Sequence, residues 1–414
     1  MEQALKPARR GTAYQVVLVA LLSLNFGIVF FDRNAINFLM PFVQPDLNLN
    51  NTHVGMLAAA LSLTWAVAGY LVSSASDKAG NRKGFLLVAI VAFSLCSVLS
   101  GLATSFLLLF GARLLMGVAE GPIAPISHAL VVREVDPRHR GLAMGVMQNF
   151  GSNFFGSFVA PVVLVAIAAS LGWRNAFFLA GVPGIVTALL IWKFIDEPPP
   201  EAKTEGEAKG LTLKEAFSYK NIVVCAIVSV LLVSYLVITW AFMPLYLTQV
   251  KGVDPQTMGW LMGTLGISAT IGSFVVAGLS DRIGRKPVLV FIPFLGVLLP
   301  LGAMYFDGSP WLLAGIFFIG WALNGCFPLF MATVPSETIQ SGHVATALAL
   351  VMATGEVFGG VLSPFVAGMA ADKFGLTAPL WIICGFAVAA GFVAMLLTET
   401  APIKRAQQAQ PAAA

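Results

Sequence analysis

Apolar residues follow one another along this chain in long runs, and polar residues gather in the short stretches between the runs. A helix needs about 20 mainly apolar residues to cross the hydrocarbon core of a membrane. Runs of about this length lie at 14–40, 53–75, 84–103, 105–131, 141–168, 174–195, 219–249, 256–279, 287–306, 310–335, 343–370 and 377–398. The alternating ten-residue segments of membrane strands are absent, and a helix satisfies its own backbone polar groups. The pattern therefore predicts an all-α membrane protein with 12 transmembrane helices.

The composition agrees with this interpretation. The chain is 58% hydrophobic and 11% charged, with a mean hydropathy of +0.85, whereas about 25% of the residues of a soluble domain are charged. Lys and Arg concentrate on one side of the predicted membrane, and only Arg174, Lys251 and Lys373 lie on the other. By the positive-inside rule both termini and the central loop are expected in the cytoplasm, with the protein in a bacterial-type inner membrane. Because topology accounts for the net charge of +4, a nucleic-acid partner has no support.

Several kinds of chemistry are not expected. The basic residues at the start of the chain precede an apolar run too long for a signal peptide, so this run is expected to remain as the first helix. The four cysteines lie in apolar spans without paired spacing, which predicts packing rather than a metal site or disulfides. A Gly-rich phosphate loop is also missing, so ATP-driven pumping is not expected.

An internal repeat divides the chain. The stretch SDKAGNRK (76–83) returns as SDRIGRK (280–286), each after the second span of its half. FFGSFVAPVV (154–163) matches VFGGVLSPFV (357–366) at a shift of 203 residues. We expect a six-helix half at 1–195, a polar cytoplasmic linker at 196–218 and a second six-helix half at 219–414. Two such pseudo-symmetric halves are typical of one large class of secondary transporters.

Four charged residues lie inside the apolar spans. Asp32 and Arg33 stand in FFDRNAINF (30–38) and are the only formal charges between residues 14 and 42. Arg113 and Glu120 are seven residues apart, which places them on one stripe of the fourth span, about 10.5 Å apart along its axis. The four side chains can share one cavity, and their charges could offset one another. Intramembrane ionisable residues generally mark substrate or proton sites, while the alternative is a static ion-pair network between the first and fourth spans.

Other polar residues could line the same cavity. Gln148, Asn149, Ser152 and Asn153 cluster on the fifth span and could bind substrate hydroxyls, or could join helices to one another. Asn37 extends the stripe of the first span. The second half offers Tyr235, Trp240, Asn324 and Glu356, of which Glu356 replaces the neutral Asn153 at the repeat-related position. The aromatic candidates could equally pack in the core, and Glu356 could be a structural carboxyl.

The repeated loops are candidates for a cytoplasmic gate. Their charges could pair with neighbouring helix ends in one state and separate in the other, although positive charge there also anchors the topology. The gate candidates are Asp77, Arg82, Asp281, Arg282 and Arg285.

The spans, these loops and RLLMG (113–117) resemble the major facilitator superfamily. Within it, DRNAINF on the first span and ARLLMGVAEGPIAP (112–125) on the fourth resemble the anion:cation symporter family, which includes bacterial sugar-acid transporters and vesicular glutamate and sialic-acid carriers. The resemblance implies that Arg33 binds the anionic substrate and that Asp32 and Glu120 couple protons. Arg113 would help to bind the anion or would tune the proton affinity of Glu120. Ser73 and Ala277 stand where the loop motif of the superfamily has glycine.

These observations predict a transporter rather than an enzyme. The expected activity is import of a small organic anion by proton symport with alternating access, with no cofactor apart from the proton. Sugar acids such as an aldonate or hexuronate fit the amides of the fifth span, and an aromatic acid fits the aromatic content. The alternatives are a drug or metabolite/proton antiporter, which would favour an arginine-poor cavity, and a non-transporting receptor. The expected partners are the substrate, protons and the bilayer, and the protein is expected to be a monomer.

Overall fold

The computed structural model describes residues 11–136, 138–197, 215, 218–339, 344–402 and 404. Twelve helices in this part of the chain are long and apolar enough to cross a membrane, which confirms the predicted fold class. They are α1 (Thr12–Asp46), α2 (Asn51–Ala79), α3 (Arg82–Gly101), α4 (Phe106–Glu134), α5 (Leu142–Leu171), α6 (Trp173–Phe194), α7 (Lys220–Val250), α8 (Pro255–Ile283), α9 (Arg285–Tyr305), α10 (Pro310–Thr338), α11 (Ala347–Phe374) and α12 (Thr377–Ala394). The expected domain boundaries stay a prediction, because most of the linker 196–218 lies outside the described residues.

The first helix is longer than its apolar run. We expected it to end near residue 40, before Pro41, but α1 continues through Pro41 and Pro45 to Asp46. Each proline removes one helical hydrogen bond. The last turn is held from outside instead, because the Asp46 carboxylate accepts hydrogen bonds from Arg174 (2.7 Å) and from the Trp173 indole (3.1 Å) at the start of α6.

Six helices are irregular along their length, among them α7, which ends in a π-helical segment, and α9, which is interrupted after Leu295. The regular part of α4 ends at Glu120 and resumes at Ile123, because Pro122 and Pro125 supply no backbone donors there. A π-helical segment occupies Val146–Val159 in α5, and another occupies Gly355–Leu362 in the repeat-related helix α11. In α10, Trp321–Cys326 form a 3₁₀ turn. Such irregular turns are frequent at functional sites, and the candidates Gln148, Asn153, Asn324 and Glu356 lie within them.

The two halves touch where α2 and α8 begin, which we call the outer end after the expected orientation. Here α2 approaches α11 so closely that a Cβ atom at Gly55 would overlap the Pro364 carbonyl oxygen, and one at Gly368 would overlap that of Asn51. Helix α8 approaches α5 in the same way, because a Cβ at Gly266 would lie 2.5 Å from the Phe158 nitrogen. Small residues thus permit backbone contact between helices, as is common in membranes.

Hydrogen bonds reinforce this contact. The Asp372 carboxylate of α11 accepts hydrogen bonds from the backbone amides of Asn51 and Thr52, each at 2.8 Å. The Gln249 amide of α7 donates to the Gln44 side chain of α1 at 2.8 Å. The outer end of the bundle is therefore closed by direct contact between the halves.

Candidate functional site

Arg33 is held by aromatic rings. Its guanidinium carbon lies 5.2 Å from the centre of the Trp65 ring in α2 and 5.6 Å from that of Phe30, and the side chain is half-buried. No acidic side chain forms an ion pair with it in the part of the chain that the structure describes. Cation–π contacts orient a guanidinium without occupying its N–H donors. Arg33 is therefore positioned with its donors available for a planar anion.

The second intramembrane arginine has a different environment. Arg113 is 2% exposed, and one of its terminal nitrogens donates to the main-chain oxygen of Arg33 at 3.1 Å. Another lies 3.1 Å from the Met116 sulfur. In this conformation Arg113 is buried and joins α4 to the backbone of α1, so any direct contact with an anion stays a prediction.

The two intramembrane acids are buried and lack arginine partners. Glu120 is 1% exposed, and neither of its carboxyl oxygens has a hydrogen-bond partner among the described residues. Asp32 is completely buried and accepts a hydrogen bond from Ser97 of α3 at 2.7 Å. Both acids interact electrostatically with Arg113, and Glu120 also interacts with Arg33. The four side chains therefore lie close enough to interact electrostatically, and a shared cavity stays a prediction.

The direct ion-pair network considered from the sequence is absent within the described ranges. The reason is geometric. Two helical turns separate Arg113 from Glu120 along α4, and the contact with Trp65 directs Arg33 toward α2. The charges attract one another through space, and each acid remains without a salt bridge.

The second half contributes an acid to this region. Glu356 is half-buried in the π-helical segment of α11 and interacts electrostatically with Arg33. Arg33 is thus influenced by a carboxyl from each half, Glu120 and Glu356, which fits a position between the halves.

The polar residues of α5 differ in exposure and in hydrogen bonding. Gln148 is exposed and its amide is in hydrogen-bonding reach of the His128 ring of α4, and Ser152 donates to its own helix at the Gln148 carbonyl. Asn153 is half-buried, as are Asn37 of α1 and Asn324 of α10. The Asn149 side chain lies outside the described residues. These amides remain candidates for a cavity wall.

The aromatic candidates of α7 lie in the core. Tyr235 is fully buried, and its hydroxyl donates to the Gly296 carbonyl at 2.7 Å. Trp240 meets Phe38 of α1 and Trp321 of α10 edge to face, with ring centres 5.5 Å and 5.2 Å apart. In this conformation the structure favours the packing interpretation for Tyr235, because its one polar atom is already bonded. Trp240 lies at the contact between the halves.

The loop between α2 and α3, one of the two gate candidates, contains a cluster of charges. Arg82 pairs with Asp77 at 2.9 Å. Glu197, just after α6, accepts hydrogen bonds from the backbone amides of Arg82 and Lys83 at 2.8 Å and 2.6 Å. The carboxylate thereby satisfies free amides at the start of α3.

The second half repeats this arrangement. Arg285 pairs with Asp281 and, at 3.0 Å, with Glu337 of α10. Glu399, just after α12, accepts hydrogen bonds from the backbone amides of Arg285 and Lys286 at 2.9 Å and 3.1 Å. Arg282 is exposed. Sequence reasoning missed both glutamates, although each follows the last span of its half.

Two further residues of the site were not anticipated from the sequence. Trp65 and Ser97 are common residue types inside apolar spans, and only the fold brings them to Arg33 and Asp32. The four cysteines are free and buried.

Comparison with solved structures supports the fold. The chain superimposes on a bacterial homologue of the human lysosomal transporter Spinster, in an inward-facing and occupied conformation, with a TM-score of 0.78 and 19% identity, covering 94% of this chain and 97% of that one. A D-xylose-proton symporter gives a TM-score of 0.74 at 19% identity, covering 94% and 99%.

Sequence comparison adds functionally described relatives. A hexuronate transporter of Bacillus subtilis is 30% identical over 288 residues, covering 66% of this chain and 67% of the relative. A probable 4-methylmuconolactone transporter of Cupriavidus pinatubonensis is 28% identical, covering 89% and 87%. The membrane sensor protein UhpC of Escherichia coli is 24% identical, covering 68% and 69%. The sequence profile of the Major Facilitator Superfamily matches residues 22–252 and 223–413. The chain therefore belongs to the Major Facilitator Superfamily of membrane transporters.

Proposed function

We propose that the protein imports a small organic anion together with protons, by alternating access. The observation that carries this proposal is the state of Arg33, a half-buried intramembrane guanidinium that aromatic rings orient and that has no ion-pair partner among the described residues. A cation inside a membrane protein is costly unless a partner offsets it. A substrate carboxylate supplies that partner and matches the planar fork of the guanidinium.

The two buried acids provide proton coupling. Ionised Glu120 attracts Arg33 and competes with an incoming anion for its positive charge. Protonation of Glu120 removes this competition, so that the proton and the carboxylate bind together. Asp32 holds a second proton next to Arg33 on α1. Glu356 acts on the same guanidinium from α11 and influences either the substrate preference or the charge moved per substrate.

The substrate class is a carboxylate, with a sugar acid favoured. One relative is a hexuronate transporter and another a probable 4-methylmuconolactone transporter, and both compounds bear a carboxylate. Asn37, Asn153, Asn324 and Gln148 offer amides to substrate hydroxyls, which suits an aldonate or hexuronate. Trp65 and Phe30 next to Arg33 also suit an aromatic acid.

The closed outer end is one of the two states that alternating access requires. Opening toward the outside then separates α2 from α11 and α5 from α8, and the charge clusters at the cytoplasmic ends close the other side. This orientation, with both termini in the cytoplasm of a bacterial-type inner membrane, follows the distribution of Lys and Arg.

Uptake into proteoliposomes tests the proposal. Purified protein is reconstituted, and uptake of labelled glucuronate is followed with an acidic exterior, with equal pH on both sides and with an alkaline exterior. Accumulation only with the acidic exterior is expected. Outward movement driven by that gradient would indicate an antiporter, and binding without movement would indicate a receptor like the sensor relative. A parallel panel of aldonates and aromatic acids ranks the substrates.

A further inference from the structure

One hydroxyl connects the buried carboxyl of Asp32 to the rest of the bundle. Ser97 of α3 lies 2.7 Å from the Asp32 Oδ1 atom and 2.9 Å from the main-chain oxygen of Phe177 in α6. Asp32, Ser97 and Phe177 are all completely buried. The second carboxyl oxygen of Asp32 has no hydrogen-bond partner within the described part of the chain. Ser97 is therefore the polar contact through which Asp32 reaches α3 and α6.

Other serines of α3 do not have this arrangement. Ser94 donates to the Ile90 carbonyl at 3.0 Å and Ser100 to the Cys96 carbonyl at 2.9 Å, both within their own helix. This is the usual behaviour of a buried serine in a helix. Ser97 alone of these three faces acceptors on two other helices.

The chemistry of a hydroxyl makes this position informative. A serine carries one proton, so it can donate to only one of its two neighbours at a time. When Asp32 is ionised, Ser97 donates its proton to the carboxylate, and the Phe177 oxygen loses its hydrogen bond from Ser97. When Asp32 is protonated, the acid donates to the Ser97 oxygen, and Ser97 donates to Phe177. Both states satisfy the hydroxyl, and one proton distinguishes them.

Several ionisable groups surround Asp32. Arg113 and Glu120 act on it from α4 and Cys96 from α3, and Arg33 adjoins it on α1. The formal charges of α6, Arg174 and Lys193, lie near the ends of that helix. Among the described residues, Ser97 is the only hydrogen-bond donor to the carboxyl group.

We propose that Ser97 is a positioning residue for proton binding, and that loss of the proton from Asp32 turns the Ser97 hydroxyl away from Phe177 and breaks the hydrogen bond between α3 and α6. The protonation state of Asp32 in α1 thereby determines whether α3 and α6 are joined by this hydrogen bond. The role in transport rests on the proposed function, in which Asp32 couples protons.

Infrared spectroscopy tests the contact without any substrate. The difference spectrum of the purified protein between acidic and alkaline pH contains the carbonyl band of each carboxyl that changes protonation, and Asp32→Asn identifies the band of Asp32. Ser97→Ala is expected to move this band to higher wavenumber, because the carboxyl loses its hydrogen-bond acceptor. Ser97→Thr keeps the hydroxyl and should keep the band near its original position. Ser100→Ala removes a buried hydroxyl one turn away and should leave the band unchanged.

The same variants are then compared in glucuronate uptake. The pH of half-maximal uptake should rise by about one unit in Ser97→Ala but not in Ser100→Ala, because an ionised carboxylate gains more from a hydroxyl donor than a neutral acid does. An unmoved Asp32 band in Ser97→Ala, an equal shift in Ser100→Ala, or no Asp32 band at all would overturn the proposal. A shifted band in a protein that fails to take up any carboxylate would instead refute the proposed function and leave the Ser97 contact standing.

Discussion

The Asp372 carboxylate, in the last turn of α11, accepts a hydrogen bond from the Thr52 backbone amide, in the first turn of α2, at 2.8 Å. A carboxylate thus satisfies free amides at a helix start that belongs to the other half, where the helix dipole also favours negative charge. In the proposed alternating-access cycle this interaction forms only when the outer end is closed, so we expect it to stabilise that state relative to the one open to the outside.

Asp372→Asn should therefore shift the protein toward the outward-open state. The interaction is exposed to solvent, where a charge at a helix start contributes about 0.3–1 kcal/mol, so an increase of about two- to fivefold in the outward-open population is expected. The measurement is the rate at which an impermeant maleimide labels Asn37→Cys from outside. Asp307→Asn, which removes an exposed outer ion pair with Lys251 within one half, is the matched control and should leave the rate unchanged.

Gly55→Ala should also disfavour closure of the outer end, by adding a steric clash instead of removing an attraction. A methyl group there overlaps the Pro364 carbonyl oxygen, which is backbone and cannot move aside without separating α2 from α11. We expect outer closure to be impaired, so that uptake falls at least tenfold while labelling of Asn37→Cys from outside increases. Gly111→Ala in α4 adds the same methyl where nothing lies within 4 Å, and normal uptake is expected. Wild-type uptake by Gly55→Ala would show that the halves do not need this contact.

Arg33→Lys should abolish carboxylate uptake while the protein still inserts into the membrane. Lysine keeps the positive charge but loses the planar fork and the stacking on Trp65 and Phe30. Uptake of labelled glucuronate is compared with that of Arg138→Lys, which changes an exposed arginine in the loop between α4 and α5. Near-normal uptake by the Arg33 variant would reduce Arg33 to a structural counter-charge.

Glu120→Gln should separate binding from coupling. The amide resembles the protonated acid, so exchange of internal for external substrate is expected to continue. Accumulation driven by a proton gradient should be lost, because position 120 no longer changes charge. Both are measured in the same proteoliposomes with labelled glucuronate. A glutamine variant that still concentrates substrate would assign proton coupling to another group.

Glu356→Gln should change either the ranking of substrates or the charge moved per substrate, without preventing folding. The carboxyl interacts electrostatically with Arg33, so an amide at this position removes a proton-binding group that acts on the guanidinium an anion meets. Transport currents from reconstituted protein across a panel of carboxylates give both quantities. If ranking and charge per substrate are both unaltered, Glu356 is a structural carboxyl.

The fold could be predicted from the sequence because each span is an apolar run that must satisfy its own backbone. The intramembrane charges could be found for the same reason, since Asp32, Arg33, Arg113 and Glu120 contrast with their surroundings. Their partners could not be found this way. Asp32 and Ser97 are 65 residues apart, and serine inside an apolar span is too common to be a signal.

Helix irregularities were also beyond the sequence pattern. The first apolar run, 14–40, ends before the helix does, because bonds from α6 to Asp46 hold the last turn of α1. The glutamates Glu197 and Glu399 could have been identified, since each follows the sixth span of its half and faces the start of the third. A search for repeat-related acids would have found them.

The π-helical segments of α5 and α11 have a mechanical consequence. A wide turn accommodates one residue more than the α-helix that flanks it, and one residue corresponds to about 100° of rotation about the helix axis. Moving the wide turn by one position along the chain therefore swings a side chain such as Asn153 or Glu356 to a different face, while both ends of the helix stay anchored. Such a shift changes the register of the helix only locally. Side chains in the middle of the membrane can therefore reorient while the helix ends keep their positions.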